Sequence, residues 1–96
     1  MKVKIKYAHL VSEVTGSLNR EFTLPEGTTV GKVLRNHIKR YGREFERWVI
    51  VDVSWRPEPV ANILINLRSI VLYPDELETQ LKDGDYMIFG GAAGAA

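Results

Sequence analysis

The sequence predicts an α+β domain, a mixed sheet packed on one main helix, and three observations carry that prediction. Lys2, Lys4 and Lys6 alternate with Val3, Ile5 and Tyr7, the two-residue period of a strand with one wet face and one buried face. Val30, Val33, Leu34, His37, Ile38 and Tyr41 recur at three- and four-residue spacing, with Lys32, Arg35, Asn36, Lys39 and Arg40 on the other side, which is an amphipathic helix. Apolar alternation returns at Asn62 to Asn66 and at Tyr86 to Phe89, so strands lie on both sides of the helix in the chain.

Between these anchors each element has a local cause. Thr15-Gly16-Ser17 reads as a turn or short loop, and Arg20 to Leu24 as the partner strand of an N-terminal hairpin, with Phe22 and Leu24 on one face and Glu21 and Thr23 on the other. Pro25-Glu26-Gly27 ends that strand, and Thr28-Thr29 supplies hydroxyls to cap a helix starting near Val30 that Gly42 terminates. From Arg43 to Val60 helix and strand signals compete, since Glu44, Phe45, Trp48 and Val49 continue a helical spacing while Ile50 to Val53 reads as a strand. Trp55-Arg56-Pro57-Glu58-Pro59 is expected as an exposed loop, because each proline lacks an amide donor. Asn62 to Asn66 and Ser69 to Leu72, joined by a short link, predict a second hairpin. Leu77 and Leu81 point inward from a helical turn after Pro74, and Lys82-Asp83-Gly84-Asp85 is a turn before the last strand. The expected core is Val3, Ile5, Phe22, Leu24, Val33, Leu34, Ile38, Ile63, Ile65, Leu81, Met87 and Phe89.

Size and composition bound what such a domain does. With 96 residues the chain supports one small core, and a domain of this size buries only about two thirds of its unfolded surface, leaving little room for a deep substrate pocket. We expect one domain over residues 1–89, with 51–61 a loop insertion, and a flexible tail over 90–96 that offers no large apolar side chain for packing. Thirteen Lys and Arg against 12 Asp and Glu make a net charge of +1, too small a field to recruit nucleic acid or an anionic membrane. Cysteine is absent, which removes thiolate chemistry and disulfides and favours a reducing compartment. No apolar run reaches the about 18 residues of a membrane span, so a cytoplasmic location is the expectation.

The catalytic inventory is thin. His9 and His37 are far apart with no nucleophile or ligand pattern beside them, and both are read as structural. Asp83 and Asp85 flank Gly84 as in a turn, without the ligand series of a calcium loop. Gly90-Gly91 and Gly94 lack the helix and lysine of a phosphate loop. The basic face of Lys32, Arg35, Lys39 and Arg40 reads as a solvated helix face, with docking of an acidic partner as the alternative. We therefore expect no catalytic residue, metal or cofactor carried by this chain.

What remains is an order of elements and an ending. Strand, turn, strand, helix, strand, short strand, helical turn, strand and tail is the order of the ubiquitin-like β-grasp. The chain resembles the MoaD/ThiS sulfur-carrier family, with the related archaeal small modifiers, along nearly its whole length. The resemblance is carried by the run from Val3 to Ala8, by Leu24-Pro25-Glu26-Gly27-Thr28-Thr29-Val30, by Ile63 to Asn66, and most specifically by Leu81-Lys82-Asp83-Gly84-Asp85 before an apolar strand and a short tail. It implies a protein that is not an enzyme. Its C-terminal carboxylate would be adenylated by an ATP-dependent activating enzyme, then delivered as a thiocarboxylate to a synthase or as an amide to a target protein.

The family's paired terminal glycines correspond here to Ala95 and Ala96, the expected attachment residues. Their Cβ atoms would obstruct a narrow channel, so activation is expected to be poor, and the alternative is a β-grasp binding module or subunit without carrier chemistry. Gly90-Gly91 is a weak substitute terminus: at roughly 3.3 Å per extended residue, two residues reach about 7 Å beyond Phe89 where seven reach about 23 Å. Strict alternation also turns Leu64 and Ile88 outward. With Ala8 at their border they are the expected partner-binding patch, exposed and continuous with the tail.

Overall fold

The computed structural model describes residues 1–90; all of the expected free tail but Gly90, including the attachment residues Ala95 and Ala96, lies outside the described residues. Among the described residues seven strands and three helices follow in the order β1 Lys2–Tyr7, α1 Leu10–Thr15, β2 Asn19–Thr23, α2 Val30–Tyr41, α3 Arg43–Val49, β3 Ile50–Val51, β4 Val60–Ala61, β5 Ile63–Ile65, β6 Arg68–Ser69 and β7 Tyr86–Phe89. Short 3-10 turns at Ile70–Leu72 and Glu76–Glu78 lead to β7. The main sheet runs β2-β1-β7-β5-β6, with β1 and β7 parallel at its centre and the other pairs antiparallel; β3 and β4 form a separate ribbon. This is the mixed sheet of the ubiquitin-like β-grasp, with the first and last strands as neighbours.

Alternation settles the sheet's two faces. Val3, Ile5 and Tyr7 of β1 are buried and the lysines between them exposed. Register carries that phase across, so Met87 and Phe89 face the core with Ile63 and Ile65, while Tyr86, Ile88 and Leu64 lie on the outer face. Helix α2 closes the inner face with Val30, Val33, Leu34 and His37 buried. Its N-cap Thr29 hydroxyl accepts from the Lys32 amide at 3.1 Å, as the capping residues predicted. The Asp83 carboxylate accepts from the Lys2 amide and that of Asp85 from the Lys82 amide, both at 2.7 Å, so the Asp-Gly-Asp turn is stitched to the start of the chain.

Several expectations need correction. The link between β1 and β2 is not only a turn: Leu10–Thr15 forms α1, which buries Val11 and Thr15 before Gly16 caps it in the left-handed conformation. Between residues 43 and 49 the helical signal wins because Phe45 and Val49, one turn apart, are both fully buried. The loop expected over 51–61 is tied at its ends by β3 and β4, which pair Val51 with Val60 and Ile50 with Ala61. The second hairpin is real but its outer strand is short: Arg68–Ser69 is all that pairs with β5, and Ile70 then enters a 3-10 turn, capped by the Ser69 hydroxyl, with its side chain buried. Phe22, Leu24 and Ile38 pack against the core from half-buried positions, while Tyr7, Val11, Phe45, Val49 and Ile70 complete it.

Candidate functional site

The place where the chain leaves the sheet is built from three elements. Phe89 at the end of β7 is fully buried, stacked on Tyr7 at 6.1 Å and tilted on His37 at 4.9 Å between ring centroids, with Phe45 edge-on at 5.1 Å. One residue on, the Gly90 amide donates to the Asn62 carbonyl at 2.8 Å, and the Phe89 carbonyl accepts from the Ala8 amide at 3.0 Å. Gly90 has φ +89°, and a Cβ placed on it would lie 2.6 Å from Val11 Cγ2. Gly90, expected as the first free residue of the tail, is therefore a fixed part of the globule. Two hydrogen bonds and a close approach that only glycine permits hold the tail's root.

The aromatic anchor beneath this root has a defined proton arrangement. The Val33 carbonyl only accepts, so His37 Nδ1, 2.9 Å away, carries the hydrogen; Nε2 then accepts from the Tyr7 hydroxyl at 2.7 Å. Burial lowers the His37 pKa, the Val33 hydrogen bond opposes that, and Arg40 and Arg20 lower it further. Burial likewise pushes the Tyr7 hydroxyl up to about 12. The two groups stay neutral and satisfy each other, which is a structural role and not that of a base awaiting a substrate. His9, in contrast, is exposed at the start of α1. Among the described residues no three His, Asp or Glu side chains converge to hold a metal, and no helix is long and apolar enough to cross a membrane.

The predicted partner residues come together around the root. Register pairs Ile88 with Lys6 on one side and Leu64 on the other, all on the outer face, and the next row brings Ala8, Gly90 and Asn62 level. Leu64 and Ala8 are half-buried. Ile88, expected to be exposed, keeps only 8% of its surface in water. It sits on a central strand, and flanking side chains on both neighbouring strands cover it, so alternation set its face but not its exposure.

Sequence reasoning missed the other half of the surface. An open hollow of about 300 Å³ adjoins the root, lined by Ala8, Leu10, Trp48, Val51, Asn62 and Gly90. Leu10 is 42% and Trp48 37% exposed, large apolar side chains left at the rim by two short helices whose inward residues are Val11, Phe45 and Val49. The available signal was Trp48 itself, an aromatic off the buried stripe of α3. Together the hollow and the outer-face row make an apolar collar around Gly90. Such a collar, apolar side chains around a fixed Gly90, has the make-up of a surface that docks another protein.

Comparison with known proteins agrees with this geometry. The model of the ThiS family matches residues 5–89. Among solved structures, a Haloferax volcanii protein is similar at 27% identity and a TM-score of 0.70, covering 93% of this chain and 80% of its own. A protein described as the putative molybdopterin converting factor subunit 1 of Pyrococcus furiosus is similar at 28% identity and a TM-score of 0.66, covering 92% and 93%. The small archaeal modifier protein 1 of Methanosarcina acetivorans is similar at 27% identity and a TM-score of 0.62, covering 91% and 88%. No curated protein matches the sequence.

Proposed function

The chain belongs to the ThiS family, and from that premise we propose that it is a small carrier or modifier protein that works by presenting its carboxyl end, beyond Gly90, to an ATP-dependent activating enzyme. Similarity to a molybdopterin converting factor subunit and to a small archaeal modifier protein supports this class of role, as sulfur donor to a synthase or as a tag on a target protein. In the proposed step the terminal carboxylate attacks the α-phosphate of ATP and expels pyrophosphate. The acyl adenylate then passes to a sulfur donor or an amine, with release of AMP.

The observation that carries the reading is the fixed root. Gly90 is bonded to Asn62 within a collar of Ala8, Leu64, Ile88, Leu10 and Trp48, so a partner that covers the collar receives the following residues in one direction. Residues 1–90 serve as the docking body and the residues beyond as the reactive arm. A second reading, a binding module without carboxylate chemistry, is favoured by Ala95 and Ala96 standing where the family has paired glycines.

Intact mass separates the two. The protein is incubated with ATP and candidate activating enzymes, beside the double variant Ala95→Gly, Ala96→Gly. Gain of sulfur or a covalent adduct by the double variant, and little by the parent, is the expected result. Equal activation of both removes the steric argument, and activation of neither leaves the binding module as the function.

A further inference from the structure

The basic face of α2 plays no part in the collar, and it borders a second feature. We propose that the free edge of β2 and the groove between β2 and α2 dock an extended aliphatic segment of another protein, flanked by acidic residues, which joins the sheet as an added strand. This site stands apart from the tail and does not depend on the reading given for it.

The edge is open in a defined way. Strand β2 is the outer strand of the sheet, hydrogen-bonded on one side to β1 in continuous register with no proline in it. Met1 and Leu24 exchange both backbone bonds, at 2.9 and 2.8 Å, and the Tyr7 amide donates to the Leu18 carbonyl at 2.8 Å. Alternation from these two fixed points turns the backbone groups of Arg20 and Phe22 toward β1 and those of Asn19, Glu21 and Thr23 outward. Such a row of outward amides and carbonyls is what an incoming strand uses.

Beside the edge lies a cavity of about 120 Å³, walled by Phe22, Leu24, Pro25 and Val33, with His37 at its floor and Lys32 on its rim. It has room for one branched side chain of a strand laid along β2. The helix wall beside it is basic, while Glu21 of β2 turns to the outer face of the sheet opposite Lys4, and Glu26 lies 3.9 Å from the Met1 ammonium. Helix α2 carries Lys32, Arg35, Lys39 and Arg40 and no acidic residue, and Arg20 and Arg40 are close enough to the groove to act electrostatically on His37. Among the described residues none of these five cations has an ion-pair partner, in a chain whose net charge is only +1. An apolar slot and an open strand edge framed by unpaired cations fit an acidic-flanked, β-branched peptide. On the sheet β1 separates this edge from β7, so the collar at Gly90 stays free while it is occupied.

The test is amide-resolved NMR titration of the full chain with the synthetic peptide Asp-Glu-Val-Ile-Val-Ile-Asp-Glu, and with a version carrying Lys at the four acidic positions. Expected are shifts over 19–24 and 32–37, exchange of the Glu21 and Thr23 amides slowed about tenfold at saturation, and clearly weaker binding of the lysine version. Glu21→Pro deletes an outward donor that β1 does not use, so it should weaken binding about tenfold or more where Glu21→Ala does not. Lys32→Glu, an exposed change that leaves the fold intact, should weaken it several-fold. The proposal is overturned if shifts gather at Leu64 and Ile88 instead, if the lysine peptide binds equally, or if about 1 mM peptide produces no shift. A uridine oligonucleotide that moves the α2 resonances when the peptide does not would likewise overturn it, assigning the face to nucleic acid.

Discussion

Replacing Tyr7 with Phe removes one oxygen from the molecule and leaves the imidazole of His37 without a donor at Nε2. The imidazole lies in a cage of Phe22, Tyr41, Phe45 and Phe89, with ring centroids 4.9 to 5.9 Å from its own. Leaving a buried acceptor unsatisfied costs about 1–3 kcal/mol, which lowers the melting temperature of a domain this size by about 4–8 °C per kcal/mol. His37→Phe strands the Tyr7 hydroxyl instead. The double variant strands neither, so it should be more stable than the sum of the single losses predicts. The pair also makes stability depend on pH. The folded state holds the His37 pKa below its ordinary value of 6.5, chiefly by burial, so below about pH 6.5 the unfolded chain binds a proton that the folded one refuses. Stability present above pH 6.5 is then lost on acidification, by up to about 1.4 kcal/mol per pH unit, until the folded pKa is reached. At the alkaline end the raised Tyr7 pKa works in the opposite direction, and its contribution is lost as pH rises from 10 toward about 12. Urea denaturation followed by far-UV circular dichroism at half-unit pH steps measures all of this. Superimposable curves for the parent and His37→Phe between pH 5 and 7, or strictly additive losses in the double variant, would refute the reasoning.

Other perturbations test the core, the root and the collar. Leu34→Ala, at a position 3% exposed on α2, should cost about 2–5 kcal/mol in the same denaturation experiment. Gly90→Ala forces a Cβ against Val11 in a left-handed backbone conformation and should destabilise the fold by at least about 1 kcal/mol, with amide shifts concentrated at Ala8, Val11 and Asn62; a silent substitution would mean that the root is not held. Leu64→Asp should leave thermal unfolding nearly unchanged and weaken binding to an activating partner, whereas Ile88→Asp should damage both, because its carboxylate would be placed where only 8% of the side chain's residue meets water.

The sequence was most legible where one strong period ran without competition. The lysine alternation of β1, the stripe and Thr29 cap of α2, and the Asp-Gly-Asp turn all depend on neighbours within a few residues, and each stands in the structure as read. Helix α1 escaped because six residues make fewer than two turns, and its His9 N-cap offers no side-chain hydrogen bond to announce it. The state of residues 43–49 was decided by Phe45 and Val49 meeting the core, a tertiary fact that local spacing left balanced. Period-two reasoning placed Leu64 and Ile88 correctly on one face beside Ala8, yet missed the cover of Ile88, since lateral neighbours come from strands distant in sequence. Gly90 was read as freedom when it serves proximity: the same missing Cβ that loosens a chain end lets this one lie against Val11.

Strand β7 comes after the other strands of the sheet in chain order, and the sheet's centre waits for it. Until Tyr86–Phe89 emerge, β1 with β2 and β5 with β6 are two separate hairpins with a strand-wide gap between them, and Phe45, His37 and Tyr7 have no Phe89 to enclose. A nascent chain cut short before β7 has no finished sheet and is open to proteolysis, while a chain that has folded necessarily carries Gly90 in place. The sheet thus has a keystone: loss of Tyr86–Phe89 alone would leave its two hairpins unjoined.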